Sequence, residues 1–590
     1  MINISLFFLV ILPVLSGFLL FAFKSDKAKM SLTQSVFLLS LAASLWLFSK
    51  PQFLWGERIF GEYILTLGLD RLSRLILIAA NLFGFLVCLF SQDYIGKKKG
   101  YFSLLLWLLA FSNLEILATD FVMFIFAWGA VIVLLYSFLG YGSDSSAKKA
   151  MTIVGFSYLL FILGAGIYIF LTGVTEMPVV TPIPIDRPLC WLAFFLMVSG
   201  ALAKAGCGPF HTWIPAASES APVPVMAILP ASLDKLLGIY IFFRICTDFF
   251  TMNYPIIVVL LMVGSLTIIF AVMMALIQHD LRKLLSYHAI SQAGYMVLGI
   301  ATVTSIGTIG AIYHMFNNAI YKSGLFLVTG STDKQKDTFE VDKLGGLARY
   351  MPLTFAAALI FSLSISGIPP FNGFASKWMI YQGALEGLGR SQNFIVRLAF
   401  IFAVISAMFG SALTLASFVK FIHAGFLGQD NSSGDAQKPR ESSWKMVLPL
   451  LVLALLCVGL GVFSDQFVKN ILWPSFELRL ECPGSWASGL VSLLLLSALA
   501  AGVFLWGLLG QKKVRQDVLF TGGETAYAKP SFPATEFYKT IEDVPAAKLA
   551  YRFIKIEKLD MYNIINSVSG GISRFLYGLV TLRWIFRRRS

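Results

Sequence analysis

A chain of 590 residues that is 57% hydrophobic and only 13% charged cannot cover a soluble globule of its size with polar surface. It reads as a polytopic membrane protein. Its net charge of +14 is not a nucleic-acid footprint, because the bases sit in short loops between apolar runs. The six cysteines (Cys88, Cys190, Cys207, Cys246, Cys457, Cys482) are scattered without CxxC or His/Cys spacing, which argues against an iron–sulfur or structural zinc site.

At about 20 apolar residues per span, helices are predicted near 3–23, 31–49, 71–91, 101–118, 120–140, 150–172, 190–207, 224–247, 254–277, 285–303, 308–330, 351–375, 395–427, 444–463 and 486–510. No cleavable signal peptide is expected, since residues 3–23 are long enough to span and no small-residue cleavage site follows. Odd-numbered loops carry Lys24/Lys27/Lys29, Lys97–Lys99, Lys148/Lys149, Arg282/Lys283, Lys334/Lys336/Lys343/Arg349 and Lys438/Arg440/Lys445. Even-numbered loops (Glu57–Asp70, Glu176–Arg187, Asp465–Glu481) are acidic, mixed or nearly uncharged. The positive-inside rule then puts the N-terminus outside and the odd loops in the cytoplasm.

Beyond Gln511 the pattern changes. Phe537, Ile541, Val544, Leu549, Phe553, Ile556 and Leu559 recur at roughly helical spacing, which predicts an amphipathic helix over 531–563 along the cytoplasmic face. Residues 564–586 form a candidate sixteenth span, interrupted by Arg574 and Arg583.

Ionisable groups inside the spans are the main functional signal, because charge in hydrocarbon is costly. In chain order they are Glu115, Lys204, Asp234, Lys235, His288, His314, Lys322 and Lys377. Lys204 precedes a proline break at Pro209, and Lys377 follows the Pro369-Pro370 break. Broken helices are tolerated at membrane depth only where protein or a watery cavity satisfies the freed backbone. The stretches 199–215 and 364–377 share small residues, such a break, a Phe and a nearby lysine, as two inverted repeats would. His314, Asn318 and Lys322 are four residues apart and share one helix face, which can hold a file of water. Each group also has a bland reading. Lysines near helix ends snorkel, Asp234 and Lys235 could be a local ion pair, His288 a plain polar contact, and Glu115 an interfacial anchor.

PFHTWIPAASESAPVPV, QHDLRKLLSYHAISQAGYMVLG, HMFNNAIYKSGLFLVTGS and GGLARYMPLTFAAALIFSLSISGIPPFNGFASKW closely resemble the antiporter-like, proton-translocating subunits of complex I and its relatives. Those relatives are the multisubunit cation/proton antiporters and the energy-converting hydrogenases. The resemblance runs from about residue 65 to 430. It implies an all-α membrane fold of about 15–16 transmembrane helices: two inverted five-helix repeats with broken helices, then a C-terminal lateral amphipathic helix. The segments become N-terminal helices (1–100), a first repeat half (101–247), a second (248–430), C-terminal helices (431–510) and the lateral helix with a possible last span (511–590). By motif, Lys204 resembles the lysine of the first half-channel, His314 and Lys322 the connecting relay, and Lys377 the terminal lysine.

Two departures stand out. The family usually has a glutamate directly after the tryptophan of the fifth helix, paired with the lysine equivalent to Lys204; here FAWGAV puts Gly129 there. The second relay histidine is Asn318. Asp234 or Glu115 is expected to replace the missing carboxylate. NGFASKW and the tail motifs FTGGE, EFYKTIEDVP and LDMYN resemble hydrogenase-type complexes, where the tail would strap neighbouring subunits.

The expected function is therefore translocation of an ion, H+ before Na+, in a redox-driven complex in a prokaryotic inner membrane. This chain would hold no cofactor. Its partners would be other membrane subunits, further antiporter-like subunits among them, with peripheral iron–sulfur or hydrogenase-like subunits and lipid, and no nucleic acid. The alternatives are a subunit of a Na+/H+ antiporter without redox partner, and a structural subunit that has lost pumping. No nucleotide loop, nucleophile constellation or metal cluster points to a soluble-type enzyme.

Overall fold

The computed structural model describes residues 5–50, 53–60, 63–96, 98–177, 182–428, 438–476 and 488–508, and in the tail 538, 544, 545, 548, 551, 552 and 560–571. All fifteen predicted spans are helical, one of them as two half-helices, so sixteen helices form them. In order they are α1 (Phe7–Leu19), α2 (Asp26–Phe48), α3 (Arg71–Tyr94), α4 (Tyr101–Leu117), α5 (Phe121–Leu139), α6 (Asp144–Thr172) and α7 (Pro188–Ala205). Then come α8 (Val223–Phe249), α9 (Tyr254–Leu276), α10 (Leu281–Ala301) and α11 (Ser305–Lys336). The last are α12 (Pro352–Ser366), α13 (Asn372–Arg390), α14 (Phe394–Leu427), α15 (Trp444–Val462) and α16 (Gly489–Leu508).

Ten of these are long and apolar enough to cross a membrane by length and composition alone. The helices α10, α11 and α13 fall outside that set because polar side chains occupy their buried faces, among them His288, Gln292, His314, Lys322, Asn372 and Lys377. In a membrane protein the interior of the bundle is where such groups are tolerated. Short polar caps separate closely spaced helices. Asp120, three residues beyond α4, accepts from Met123 N at 2.8 Å and starts α5, and Asp280 and Asn253 do the same for α10 and α9.

Two features differ from the sequence reading. The segment read as one span at 351–375 is two half-helices, and the second continues to Arg390. Gly367, at φ +79, ends α12, and the polar composition of α13 hides its length from a hydropathy window. The loop around 57–70 contains an antiparallel hairpin, β1 (Phe53–Phe60) with β2 (Tyr63–Leu69), because β-branched and aromatic residues cluster over stretches too short to register as spans.

The repeat is visible in how α7 and α12 stop. Each ends on a left-handed glycine, Gly206 at φ +67 and Gly367 at φ +79. In each, the next amide reaches back five residues: Cys207 N to Leu202 O at 2.8 Å, and Ile368 N to Leu363 O at 3.1 Å. This is the glycine C-cap that releases a chain sharply from a helix. A cis X-Pro bond follows in both cases, at Gly208-Pro209 and Pro369-Pro370.

Most of the predicted lateral helix, most of the candidate last span with Arg574 and Arg583, and the FTGGE and EFYKTIEDVP motifs lie outside the described residues. The described part of the tail is bonded to the body at several points. Tyr538 Oη donates to Ala416 O (2.7 Å), Tyr551 Oη donates to Met273 O (3.1 Å), and Asp560 reaches the α7 break.

Candidate ion-translocation site

The last turn of α7 puts Lys204 inside the protein, 2% exposed. Its Nζ lies 2.9 Å from Oε1 of Glu115 and donates to Oε2 at 3.0 Å. Glu115, on α4, is fully buried, so it is not an interfacial anchor. The indole of Trp128 lies under the ammonium, 4.9 Å from Nζ to the ring centroid, and itself rests on Gly200. The partner of Lys204 is therefore Glu115. At position 129 a Cβ would meet Tyr158 Oη at 2.7 Å, and that hydroxyl donates to Ile125 O at 2.7 Å. Glycine at 129 and the tyrosine at 158 thus go together, and the carboxylate comes from the neighbouring helix instead.

Asp234, 4% exposed, sits within electrostatic range of Lys204, Lys235 and Glu115, but its Oδ2 has no hydrogen-bond partner among the described residues. It does not form the local ion pair with Lys235 that adjacency allowed. Consecutive helical positions diverge by about 100°, and Lys235 Nζ instead donates to Ala205 O at the broken end of α7.

Lys377 repeats that arrangement in the second half. It does not snorkel: it is 2% exposed and its Nζ donates to Ile365 O at the end of α12, 2.8 Å away. Tyr295 lies beneath it at 4.8 Å. In both halves a lysine thus meets the carbonyl end of a broken helix, where the backbone dipole favours a cation.

Between these ends runs a fully buried polar file on α10, α11 and α13. Lys322 Nζ donates to Leu285 O at 2.8 Å. His288 Nε2 is 2.7 Å from Ser417 Oγ, while its Nδ1 has no partner among the described residues. His314 is held at both nitrogens, with Nε2 3.0 Å from Gln292 Oε1 and Nδ1 2.9 Å from Ser376 Oγ. With Gln292 Oε1 as acceptor, the proton of a neutral imidazole is on Nε2, and Nδ1 accepts from the serine. Asn318 has neither amide atom bonded among the described residues. Its neighbour Asn317 exchanges two amide bonds with Asn372, one to the backbone and one to the side chain, both 2.9 Å. That pair fixes the start of α13 against α11 and so places Ser376 and Lys377.

On the basic-loop side, Asp560 clamps the α7 break. Its Oδ1 accepts from Thr212 Oγ1 at 2.7 Å, and its Oδ2 accepts from Lys149 Nζ at 2.5 Å. Burial alone would raise this carboxyl, but the bonds from Lys149 and Thr212 outweigh it and hold Asp560 below its ordinary value. Of these contributors, Ser376, Gln292, Asn317, Asn372 and Asp560 lie within the quoted motifs, but none is an ionisable group inside a predicted span, so the rule for buried charge does not select them. It does select Lys420 (1% exposed, on α14): a lysine inside an apolar run falls under the same rule that flagged Lys204.

A bundle of apolar helices with two mirrored breaks, and a buried row of lysines, histidines and carboxylates between them, defines a multi-pass membrane protein of the antiporter-like class. Residues 118–406 match the family described as NADH:quinone oxidoreductase/Mrp antiporter, TM. Residues 118–406 thus carry the antiporter-like membrane domain of that family. It is 30% identical over 432 residues to the Na(+)/H(+) antiporter subunit A1 of Staphylococcus haemolyticus, a match that covers 69% of this chain and 53% of that protein. The chain thus spans about half the length of that relative. It is 28% identical over 440 residues to NADH-quinone oxidoreductase subunit N of Desulforudis audaxviator, covering 70% of this chain and 85% of that one. In fold it is similar to a chain in the structure of the membrane-bound sulfane sulfur reductase, an archaeal respiratory membrane complex, with a TM-score of 0.82, 20% identity and 99% of both chains covered.

Proposed function

We propose that this chain is the ion-translocating membrane subunit of a redox-driven complex of energy-converting hydrogenase or complex I type, and that the ion is H+. The observation that carries the reading is the buried row itself, from the Glu115–Lys204 pair through Asp234, Lys235, Lys322, His288, Asn318 and His314 to Lys377. A structural subunit that had lost pumping would have no reason to bury four lysines at membrane depth. The absence of a carboxylate at 129 does not favour that alternative, because Glu115 supplies one.

Lys204 holds or releases a proton as Glu115 and Asp234 approach or withdraw. Asn318, with donor and acceptor both available, passes charge through water between His314 and Lys322, and Lys377 exchanges it with one side of the membrane. The lysines and histidines of the row exchange protons and offer no oxygen to Na+, a hard cation that needs an oxygen cage. The chain itself carries no redox cofactor. The N-terminus lies outside, the odd loops are cytoplasmic, and the membrane is the inner membrane of a prokaryote. The tail straps neighbouring membrane subunits, further antiporter-like ones among them, and iron–sulfur or hydrogenase-like subunits complete the complex.

The likeness to the respiratory-complex chain covers 99% of both chains, which supports the redox-driven reading. The second reading, a Na+/H+ antiporter subunit without redox partner, is supported by the 30% identity to the staphylococcal subunit. Purification with native partners in mild detergent, followed by mass spectrometry, separates them. Iron–sulfur and hydrogenase-like proteins are the expected companions; small antiporter subunits alone would replace the first reading with the second.

A further inference from the structure

The row described above runs across the middle of the bundle and needs a connection to an aqueous face. Lys420 is placed where one would begin. On α14, close to its basic-loop end, Lys420 Nζ donates to Leu276 O (3.1 Å) and Gln278 O (2.9 Å) where α9 ends. It is in electrostatic range of Asp342 in the segment that follows α11. Arg282 and Lys283 lie in the first turn of α10, Lys334 in the last turn of α11 and Lys343 just after it, so this end of the bundle is the basic face.

Three residues back, one turn deeper on the same helix face, is Ser417, which is fully buried and bonded to His288 Nε2 at 2.7 Å. The ring of Phe418 packs against His288 at 4.8 Å, and Lys322 Nζ lies 5.8 Å from the same ring. Lys322 also bonds Leu285 O, one turn before His288. His288, a member of the row, therefore meets Ser417 with one nitrogen and keeps the other, Nδ1, unbonded among the described residues in a fully buried site. An imidazole arranged in this way takes a proton on one side and gives one up on the other.

We propose that Lys420, Ser417 and His288 form a proton-access branch joining the basic-loop face to Lys322. This rests on the proton-translocating reading above. The Lys420 ammonium gives a proton, through one water across the turn, to the Ser417 oxygen. The serine hydroxyl passes its own proton to His288 Nε2, His288 Nδ1–H releases one to the Lys322 amine, and Lys420 is reprotonated from the loops. One proton moves inward, no bond other than O–H and N–H changes, and no electron is transferred.

The plain alternative is that Lys420 only caps the end of α9. Arginine would cap those carbonyls as well but cannot give up its proton. The test uses everted vesicles from cells whose own membrane complex carries Lys420→Arg, Ser417→Ala or Ser417→Thr, with proton uptake read by acridine-dye quenching. Immunoblots of native gels measure how much complex assembles. The branch predicts that Lys420→Arg and Ser417→Ala assemble normally and lose about a hundredfold in uptake rate, the contribution typical of a positioned proton-transfer group. Ser417→Thr, which keeps the hydroxyl, recovers most of the rate. Uptake within about twofold of wild type in Lys420→Arg and Ser417→Ala, while Lys204→Ala abolishes it, overturns the branch and leaves the translocation reading intact. Full uptake in Lys204→Ala overturns that reading and the branch with it. If Lys420→Arg does not assemble, the Ser417 pair decides alone.

Discussion

Replacing Glu115 by glutamine tests the reassigned ion pair most sharply. The amide keeps the volume and one acceptor oxygen, but it removes the only charge among the described residues bonded directly to Lys204, whose Nζ is 2.9 and 3.0 Å from the two carboxylate oxygens. Breaking a buried pair by removing one partner costs about 3–5 kcal/mol, because the remaining charge is uncompensated. Asp234 lies in electrostatic range and takes up part of that loss, so the lower end applies. About 3 kcal/mol corresponds to roughly a hundredfold in rate. Dye-quench measurements of proton uptake in everted vesicles, normalised to assembled complex, should therefore show Glu115→Gln reduced by about that factor. Glu115→Asp, which shortens the reach but keeps the charge, should fall in between. The geometry adds a control. Glu115→Gln with Gly129→Glu should not recover, because Tyr158 Oη occupies the space beside residue 129. Adding Tyr158→Ala should make room and restore part of the rate. Wild-type uptake in Glu115→Gln would refute the reassignment outright.

Asp234→Asn, which removes a charge in range but not bonded, should cost about 1 kcal/mol and slow uptake about fivefold in the same assay; abolition would make Asp234 the primary partner. Asp560→Ala removes a charge-assisted clamp worth about 1.5–3 kcal/mol, so tryptic cleavage of the tail in the intact complex should speed up by about ten- to a hundredfold. Since Asp560 is held below its ordinary value, the clamp is fully present above about pH 4 and is lost only as pH falls through its lowered value. Tail protection at pH 5 should equal that at pH 7.5, and weakening already at pH 5 would contradict the assigned pairing. Gly206→Ala puts a Cβ 2.0 Å from Ile214 Cδ1 at a left-handed position, at a backbone cost alone of about 1–2 kcal/mol. It should lower the thermal midpoint of the purified complex, whereas Gly166→Ala, with nothing within 4 Å, should not.

The spans, the two breaks and the buried charges were legible in the sequence because each has a local signal. Apolar length marks a helix, Gly and Pro mark a break, and a lone ionisable group in a hydrophobic run stands out against its neighbours. Which charges meet was not legible, since that depends on how helices pack. Glu115 and Lys204 are 89 positions apart and share no pattern, so choosing between Glu115 and Asp234 required the fold. Lys235 sits next to Asp234 in sequence, but the helix turns it toward the broken end of α7. The extension of α13 to Arg390 was hidden by its polar residues. The β1–β2 hairpin was missed because twenty-residue windows average over strands of eight and seven residues. Lys420 was legible and passed over: it sits near the end of a span, where snorkelling is the easy explanation, yet the structure buries it.

The claim on which everything else depends is that the buried row conducts. Lys322 joins its two halves, so the decisive measurement is proton uptake per redox turnover in everted vesicles carrying Lys322→Met in the intact complex. The account predicts normal assembly, continuing electron transfer and loss of nearly all proton uptake. Wild-type uptake per turnover without an ionisable group at 322 would mean that the ion crosses elsewhere.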